Sequence, residues 1–189
     1  MSALAEVASR LRCPHCAAPF ELQTSLTCAT GHSFDVARQG YLSLLAGGRS
    51  APEGDSPDMV AARERFLEAG HCQPLATALG DLLEHVFDGT GSIVDLGAGT
   101  GWYLARLLDR FPAAAGLALD VSKPALRRAA RAHPRAAAVG CDAWGPLPLR
   151  DRVADAVLNV FAPRNAAEIA RVLRPDGAAL IVTPAAEHL

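Results

Sequence analysis

Apolar residues run in short, nearly unbroken stretches along the second half of the chain, and each stretch stops at Gly, Asp or Pro. The first reads Ile93 to Gly101, Ile-Val-Asp-Leu-Gly-Ala-Gly-Thr-Gly, and predicts a strand that leads into a glycine turn. Ala115 to Val121, Ala136 to Cys141, Asp155 to Phe161 and Ala178 to Thr183 predict four more strands, the last after a Pro175-Asp176-Gly177 turn. Continuous apolar runs of this length mark strands buried on both faces. Between them the spacing switches to helical over Trp102 to Arg110, Pro124 to Ala132 and Asn165 to Leu173. The resulting βαβαβαβαβ order predicts an α/β fold with a parallel sheet and right-handed crossovers. Upstream, Asp58 to Ala69 and Leu75 to Val86 have helical spacing and are expected to cover the sheet and its ligand. Ala46 to Asp58 is rich in Gly, Pro and Ser, without periodicity, and reads as a linker.

The glycine turn sets the ligand class. Gly97, Gly99 and Gly101 permit positive φ and leave no Cβ between the backbone and a nucleotide-like ligand. A dinucleotide fingerprint G-x-G-x-x-G requires glycine at 102, where this chain has Trp102. The carboxylate of Asp95 ahead of the turn repels a pyrophosphate and suits an ammonium group, which S-adenosyl-L-methionine carries. Asp120 follows Gly99 by 21 residues and ends the second strand, where such folds hold a ribose diol. Asp142 ends the third strand, placed to accept from an exocyclic amine, and Asn159 with Phe161 to Pro163 falls at the ligand edge of the fourth. Taken singly, Asp120 serves equally as a helix cap and Asp142 as the start of a turn. Their placement at successive strand ends favours the ligand reading.

Near the N-terminus, Cys13, Cys16, Cys28 and His32 form C-x2-C-x11-C-x3-H, a spacing that suits a closed tetrahedral zinc site of structural type. A Cys16–Cys28 disulfide and ligation by His15 are the competing readings. The absence of a recognisable secretory signal argues against the first, and the better two-residue gap to Cys16 argues against the second. Phe20, Leu22, Leu26, Phe34 and Val36 are expected to form a small core around the metal, marginal without it.

Composition narrows the picture further. The 189 residues are 50% hydrophobic, with a net charge of −2, so no global charge signals nucleic-acid binding. Arg127, Arg128, Arg131 and Arg135 cluster locally and read as a solvated helix face. No apolar run reaches the roughly 18 residues of a membrane helix, so a soluble cytoplasmic chain with no membrane partner is expected. Cys72 and Cys141 read as small buried residues.

Several segments in order carry a resemblance: the cysteine cluster, His32-Ser33-Phe34-Asp35-Val36-Ala37-Arg38-Gln39-Gly40-Tyr41, Phe66-Leu67-Glu68-Ala69-Gly70-His71, Asp95 to Gly101, Asp120-Val121-Ser122-Lys123, Phe161-Ala162-Pro163-Arg164-Asn165, and Thr183-Pro184 before His188-Leu189. From Leu11 onward the chain resembles the zinc-containing 23S rRNA (guanine-N1)-methyltransferases, most closely the actinobacterial branch that confers resistance to tylosin and related macrolides. The resemblance implies a class I, Rossmann-like methyltransferase with S-adenosyl-L-methionine and zinc as cofactors and 23S rRNA as partner. It implies a zinc-binding RNA-recognition domain over 1–45, a linker and covering helix over 46–70, and a methyltransferase domain over 71–189. Its cofactor contacts fall on Gly99, Thr100, His188 and position 72, where Cys72 replaces the usual tyrosine. Asp142 and Asn159 are the candidates for removing the guanine N1 proton, by location alone. Relatives continue past His188 to complete seven sheet strands, whereas this chain stops after the fifth, so weakened catalysis is expected. Pairing of two arginine-lined clefts makes a homodimer plausible. Two other functions stand beside this one: methyl transfer to a small molecule, and binding without catalysis.

Overall fold

The computed structural model describes residues 3–22, 25–45 and 54–185. Six parallel strands form the main sheet: β4 (Tyr41–Ser43), β5 (Thr90–Leu96), β6 (Ala113–Asp120), β7 (Ala136–Gly140), β8 (Ala154–Val160) and β9 (Leu173–Val182), in the spatial order β4-β7-β6-β5-β8-β9. The chain first supplies the edge strand β4, then crosses to the middle at β5, winds outward through β6 and β7, and returns to the other side of β5 for β8 and β9. That reversal leaves a crevice at the carboxyl ends of β5 and β8, the place where open parallel sheets bind ligands.

Alternation along the strands divides the interior into two layers. On one face Val94, Leu96, Leu117, Leu119 and Val139 pack with Ile169 and Val172 of α6 (Ala166–Val172) and with Leu4 and Val7 of α1 (Ala3–Val7). On the other, Ile93, Ala118 and Leu158 pack against α3 (Gln73–Glu84), α4 (Trp102–Arg110) and α5 (Lys123–Ala132). Side-chain caps start three helices. Ser56 accepts the N–H of Met59 at the head of α2 (Pro57–Glu68), Ser122 accepts that of Ala125 at the head of α5, and Asn165 accepts that of Glu168 at the head of α6.

The N-terminal lobe is a small antiparallel sheet, β1 (Phe20–Leu22), β2 (Leu26–Cys28) and β3 (Ser33–Phe34). Its apolar residues do not form a separate core: Phe20, Leu26, Cys13 and Cys28 belong to the same buried cluster as Val94, Leu117 and Val139. The lobe is also tied by its backbone, since Arg12 N–H donates to Pro148 O and Arg150 N–H to Arg10 O. Tyr41–Ser43 leaves the lobe to become the edge strand of the main sheet, paired with β7.

Two expectations change here. The Pro175-Asp176-Gly177 segment is not a separate turn before the fifth strand but an irregularity within β9, whose register jumps between Ala154 and Ala156 of β8. Arg135 is not on the α5 face: it lies beyond the helix, and its guanidinium donates to the carbonyls of Phe111, Ala114 and Leu108. The linker over 46–53 lies outside the described residues, while its end is docked, with Ser122 Oγ donating to Asp55 O at 2.7 Å. No helix among the described residues is long and apolar enough to cross a membrane.

Candidate active site and metal centre

The turn after β5 is held by the neighbouring strand. Gly97 and Ala98 both donate to Leu119 O, and Gly99 N–H donates to the Asp120 carboxylate at 2.8 Å. The three glycines are required for different reasons. A Cβ on Gly97, at φ +69°, would lie 2.4 Å from Ala162 Cβ, so this residue lets the loop after β8 close down on the turn. A Cβ on Gly99, at φ +56°, would meet no protein atom nearer than the Arg63 guanidinium at 3.7 Å, which leaves space for a ligand against the backbone. Gly101 instead brings α4 close to Ala129 of α5.

Two adjoining cavities of about 300 Å³ each open at this turn. One is lined by Cys72, Asp95, Thr100 and Tyr103, the other by Asp120, Cys141, Asp142 and Trp144, and Arg63, Gly97 and Phe161 border both. Asp95 is 2% exposed. Burial, reinforced by the Asp120 charge, pushes its carboxyl up to about 8. A cationic partner is what such a carboxyl lacks. Burial also raises Asp120, outweighing the N–H donors of Ser122 and Gly99 that favour its anion. The arrangement fits S-adenosyl-L-methionine: a buried acid for the ammonium in one cavity, and the acids of β6 and β7 for the diol and adenine amine in the other. A larger open groove of about 550 Å³ lies between α2, α4 and α5, and there Arg128 is already paired with Glu64 at 3.3 Å.

Of the residues expected at the crevice, Cys72, Asp95, Gly97, Gly99, Thr100, Asp120 and Asp142 line it. Gly101 instead sits one step away at the helix contact. Asp142 also begins a turn, accepting Trp144 N–H at 2.9 Å. Asn159 is a correction: it is 0% exposed and lies beneath the loop, its Nδ2 donating to Pro163 O at 2.9 Å and Leu96 O at 3.4 Å. Its Oδ1 is buried without a hydrogen-bond partner, and a side chain sealed in this way does not reach a substrate proton. His188 lies outside the described residues. Phe161, expected at the ligand edge of β8, borders both cavities, and so does Arg63, which no motif announces.

In the lobe, the ligand atoms of Cys13, Cys16, Cys28 and His32 all lie within 4.8 Å of one another. Cys16 Sγ and Cys28 Sγ are 3.6 Å apart, Cys28 Sγ and His32 Nδ1 3.4 Å, and Cys13 Sγ and His32 Nδ1 3.6 Å. A tetrahedron with Zn–S near 2.3 Å and Zn–N near 2.05 Å has edges of about 3.8 and 3.6 Å, so these separations fit zinc. A disulfide of about 2.05 Å does not describe the Cys16–Cys28 pair. His15 is outside the set, stacked on Phe34 with ring centroids 5.9 Å apart. Thr30 was not anticipated: its hydroxyl is 3.0 Å from Cys16 Sγ and 3.1 Å from Cys28 Sγ. That contact is the main reason the Cys28 thiol drops to about 5, in the range where a thiolate is ready for a metal.

Comparison with known proteins matches both parts of the chain. Residues 11–47 match the zinc-ribbon family described as RlmA, N-terminal, and residues 93–177 match a methyltransferase domain. A Micromonospora griseorubida protein named as a 23S rRNA (guanine-N1)-methyltransferase is 54% identical, over 95% of this chain and 67% of its own length. The chain belongs to the 23S rRNA (guanine-N1)-methyltransferase family. A second family member, the 23S rRNA (guanine(748)-N1)-methyltransferase of Streptomyces fradiae, is 53% identical over 95% of this chain and 65% of its own length. The chain spans about two thirds of the length of these relatives. For the fold, a crystal structure of an S-adenosyl-L-methionine-dependent methyltransferase from Methanococcus maripaludis superposes with a TM-score of 0.58 at 22% identity, covering 71% of this chain and 67% of that one.

Proposed function

We propose that the chain binds S-adenosyl-L-methionine and zinc and methylates N1 of a guanine in a 23S rRNA hairpin near the macrolide site, conferring macrolide resistance. The observation that carries this reading is the joining of a four-ligand zinc lobe to an acid-lined methyltransferase crevice through one core, in a chain more than half identical to rRNA methyltransferases. Cys13, Cys16, Cys28 and His32 hold the metal, and the lobe of residues 1–45 serves RNA recognition. Asp95, Gly97, Gly99 and Thr100 hold the amino-acid end of the cofactor with Cys72 and His188, while Asp120 and Asp142 hold its nucleoside end. When bound, the cofactor supplies a methyl group on a cationic sulfur that leaves readily.

The chain's own contribution is mainly placement. Guanine N1 is protonated at neutral pH, and Asp142, which lines the second cavity, is by location alone the candidate carboxylate to take that proton with the oxygen the cofactor leaves free. The same reading puts the protein with ribosomes in the cytoplasm. It also includes a homodimer whose paired clefts gather arginines over the RNA, and a monomer mass by light scattering at working concentration would remove that part.

Calorimetric titration with S-adenosyl-L-methionine, zinc analysis of the same sample, and a primer-extension stop on a treated 23S rRNA hairpin test the proposal together. Cofactor binding, about one zinc per chain and a stop at a single guanine are expected. Cofactor binding with methyl transfer to small acceptors, and none to RNA, would move the function to small-molecule chemistry.

A further inference from the structure

Phe161 is held in a conformation and an environment that both cost stability. Its φ is +53°, a region a bulky side chain rarely adopts, and the residue is 59% exposed although it directly follows the buried strand β8. The turn that carries it is fixed from three sides. Phe161 N–H donates to Val182 O at 3.1 Å, Asn159 Nδ2 donates to Pro163 O, and Ala162 is pressed against Gly97. A strained and exposed aromatic, held this firmly, points to a surface that a ligand covers.

Its position says what. Phe161, Arg63 and Gly97 are the residues shared by the two cavities, so the ring stands at their junction, between the acid for the ammonium and the acids for the nucleoside. Two more exposed aromatics border the same opening: Trp144, 64% exposed, on the nucleoside side and Phe66, 55% exposed, on the other. Aromatic faces with a nearby guanidinium, around an opening of this size, match an unstacked base rather than a phosphate chain, which needs clustered cations. Arg63 is in addition engaged with Asp55, which leaves its planar face rather than its full charge for the opening.

We propose that Phe161 is the platform on which the target guanine stacks after leaving the RNA fold, and that Asn159 is its positioning residue, clamping the strained turn from below. The proposal rests on the rRNA-methyltransferase reading and specifies how that site receives its base. Stacking of a flipped purine beside the junction brings N1 to the methyl donor's side without any base-specific contact from Phe161 itself. Specificity then belongs to the acids and main chain around it.

The test measures single-turnover methylation of the 23S rRNA hairpin bearing the guanine that names the Streptomyces fradiae relative, with cofactor affinity measured separately. Phe161→Leu is expected to lower the rate on the order of 10- to 100-fold, with cofactor affinity within about twofold and Phe161→Tyr near the starting rate. Asn159→Asp is expected to slow the unsubstituted protein but to add nothing in the Phe161→Leu background, because both act through one ring. An unchanged rate in Phe161→Leu overturns the platform while leaving the parent reading standing. So does a loss of cofactor affinity that accounts for the whole rate change, and additive effects of the two substitutions remove the role of Asn159. If the unsubstituted chain binds cofactor but methylates no RNA, the parent reading falls and this proposal with it.

Discussion

The carboxylate of Asp120 accepts the main-chain N–H of Gly99 at 2.8 Å, across 21 residues of sequence, and its other oxygen accepts the N–H of Ser122 at 2.8 Å. One acid at the end of β6 therefore fixes the ligand turn of β5 and the entry to α5. The alternative roles of cap and ligand acid separate here, because Ser122 is the residue that caps α5. Asp120 shapes the floor of the crevice, and a carboxylate retains lone pairs for a diol after accepting two N–H groups.

Replacing Asp120 by Ala leaves the buried Gly99 N–H without its partner. A loss of about 1–3 kcal/mol in urea unfolding is expected, along with at least a tenfold loss of S-adenosyl-L-methionine affinity. Asp120→Asn keeps an acceptor oxygen and should fall between. Unfolding of Asp120→Ala at the same urea concentration as the parent would show that the turn does not depend on this strut.

The central sheet and its ligand edge were legible because their signals are local: apolar runs ending at Asp95, Asp120 and Asp142, and glycines at fixed offsets. The clustering of Cys13, Cys16, Cys28 and His32 was legible for the same reason, as two short knuckles. What escaped depends on residues far apart in sequence. Tyr41–Ser43 looks like any short apolar segment until β7 is beside it, and the shared burial of Leu26 with Leu117 has no sequence period. Asn159 sits at the right strand end for a site residue, yet it is fully buried with its Nδ2 donating to Pro163 O and Leu96 O, a fact of loop packing. Arg135 reads as one more basic residue of a helix until three carbonyls are found around its guanidinium.

Gly97→Ala and Gly99→Ala make a contrasting pair. At Gly97 the new methyl collides with Ala162 at 2.4 Å and the backbone is left-handed, so loss of several kcal/mol or outright misfolding is expected. At Gly99 the methyl makes only an ordinary contact with Arg63 at 3.7 Å, and only the backbone term of about 1 kcal/mol applies. Gly99→Ala should therefore stay folded while losing cofactor binding. Thermal unfolding and calorimetry on both proteins read this, and intact binding by Gly99→Ala would mean that the ligand does not lie against that residue.

Because the lobe and the sheet share one core, zinc removal is expected to reach beyond the lobe. Chelation, or Cys28→Ser, should lower the melting temperature of the whole chain in a single transition and raise hydrogen exchange at β7 as well as at β2. Two separate transitions, with the sheet unaffected, would show that the lobe folds on its own.

Asp95 links ligand binding to the stability of the ligand-free protein. Its folded carboxyl titrates at about 8, whereas an unfolded aspartate titrates near 3.9. Between those values the native protein holds a proton that the unfolded chain has released, so stability falls as pH rises through this window, by at most about 1.4 kcal/mol per pH unit. Below the window both forms are protonated and the penalty is absent; above it both are ionised and the penalty is complete. Asp95→Asn removes the slope and is expected to raise the melting temperature at pH 7, while weakening S-adenosyl-L-methionine because the ammonium loses its anion. The protonated acid must also ionise when a cation arrives. Binding at pH 7 should thus release up to about one proton, measured by calorimetry in buffers of different ionisation enthalpy, and Asp95→Asn should release none from this position. Equal proton release by the two proteins would show that Asp95 is not the ammonium's partner.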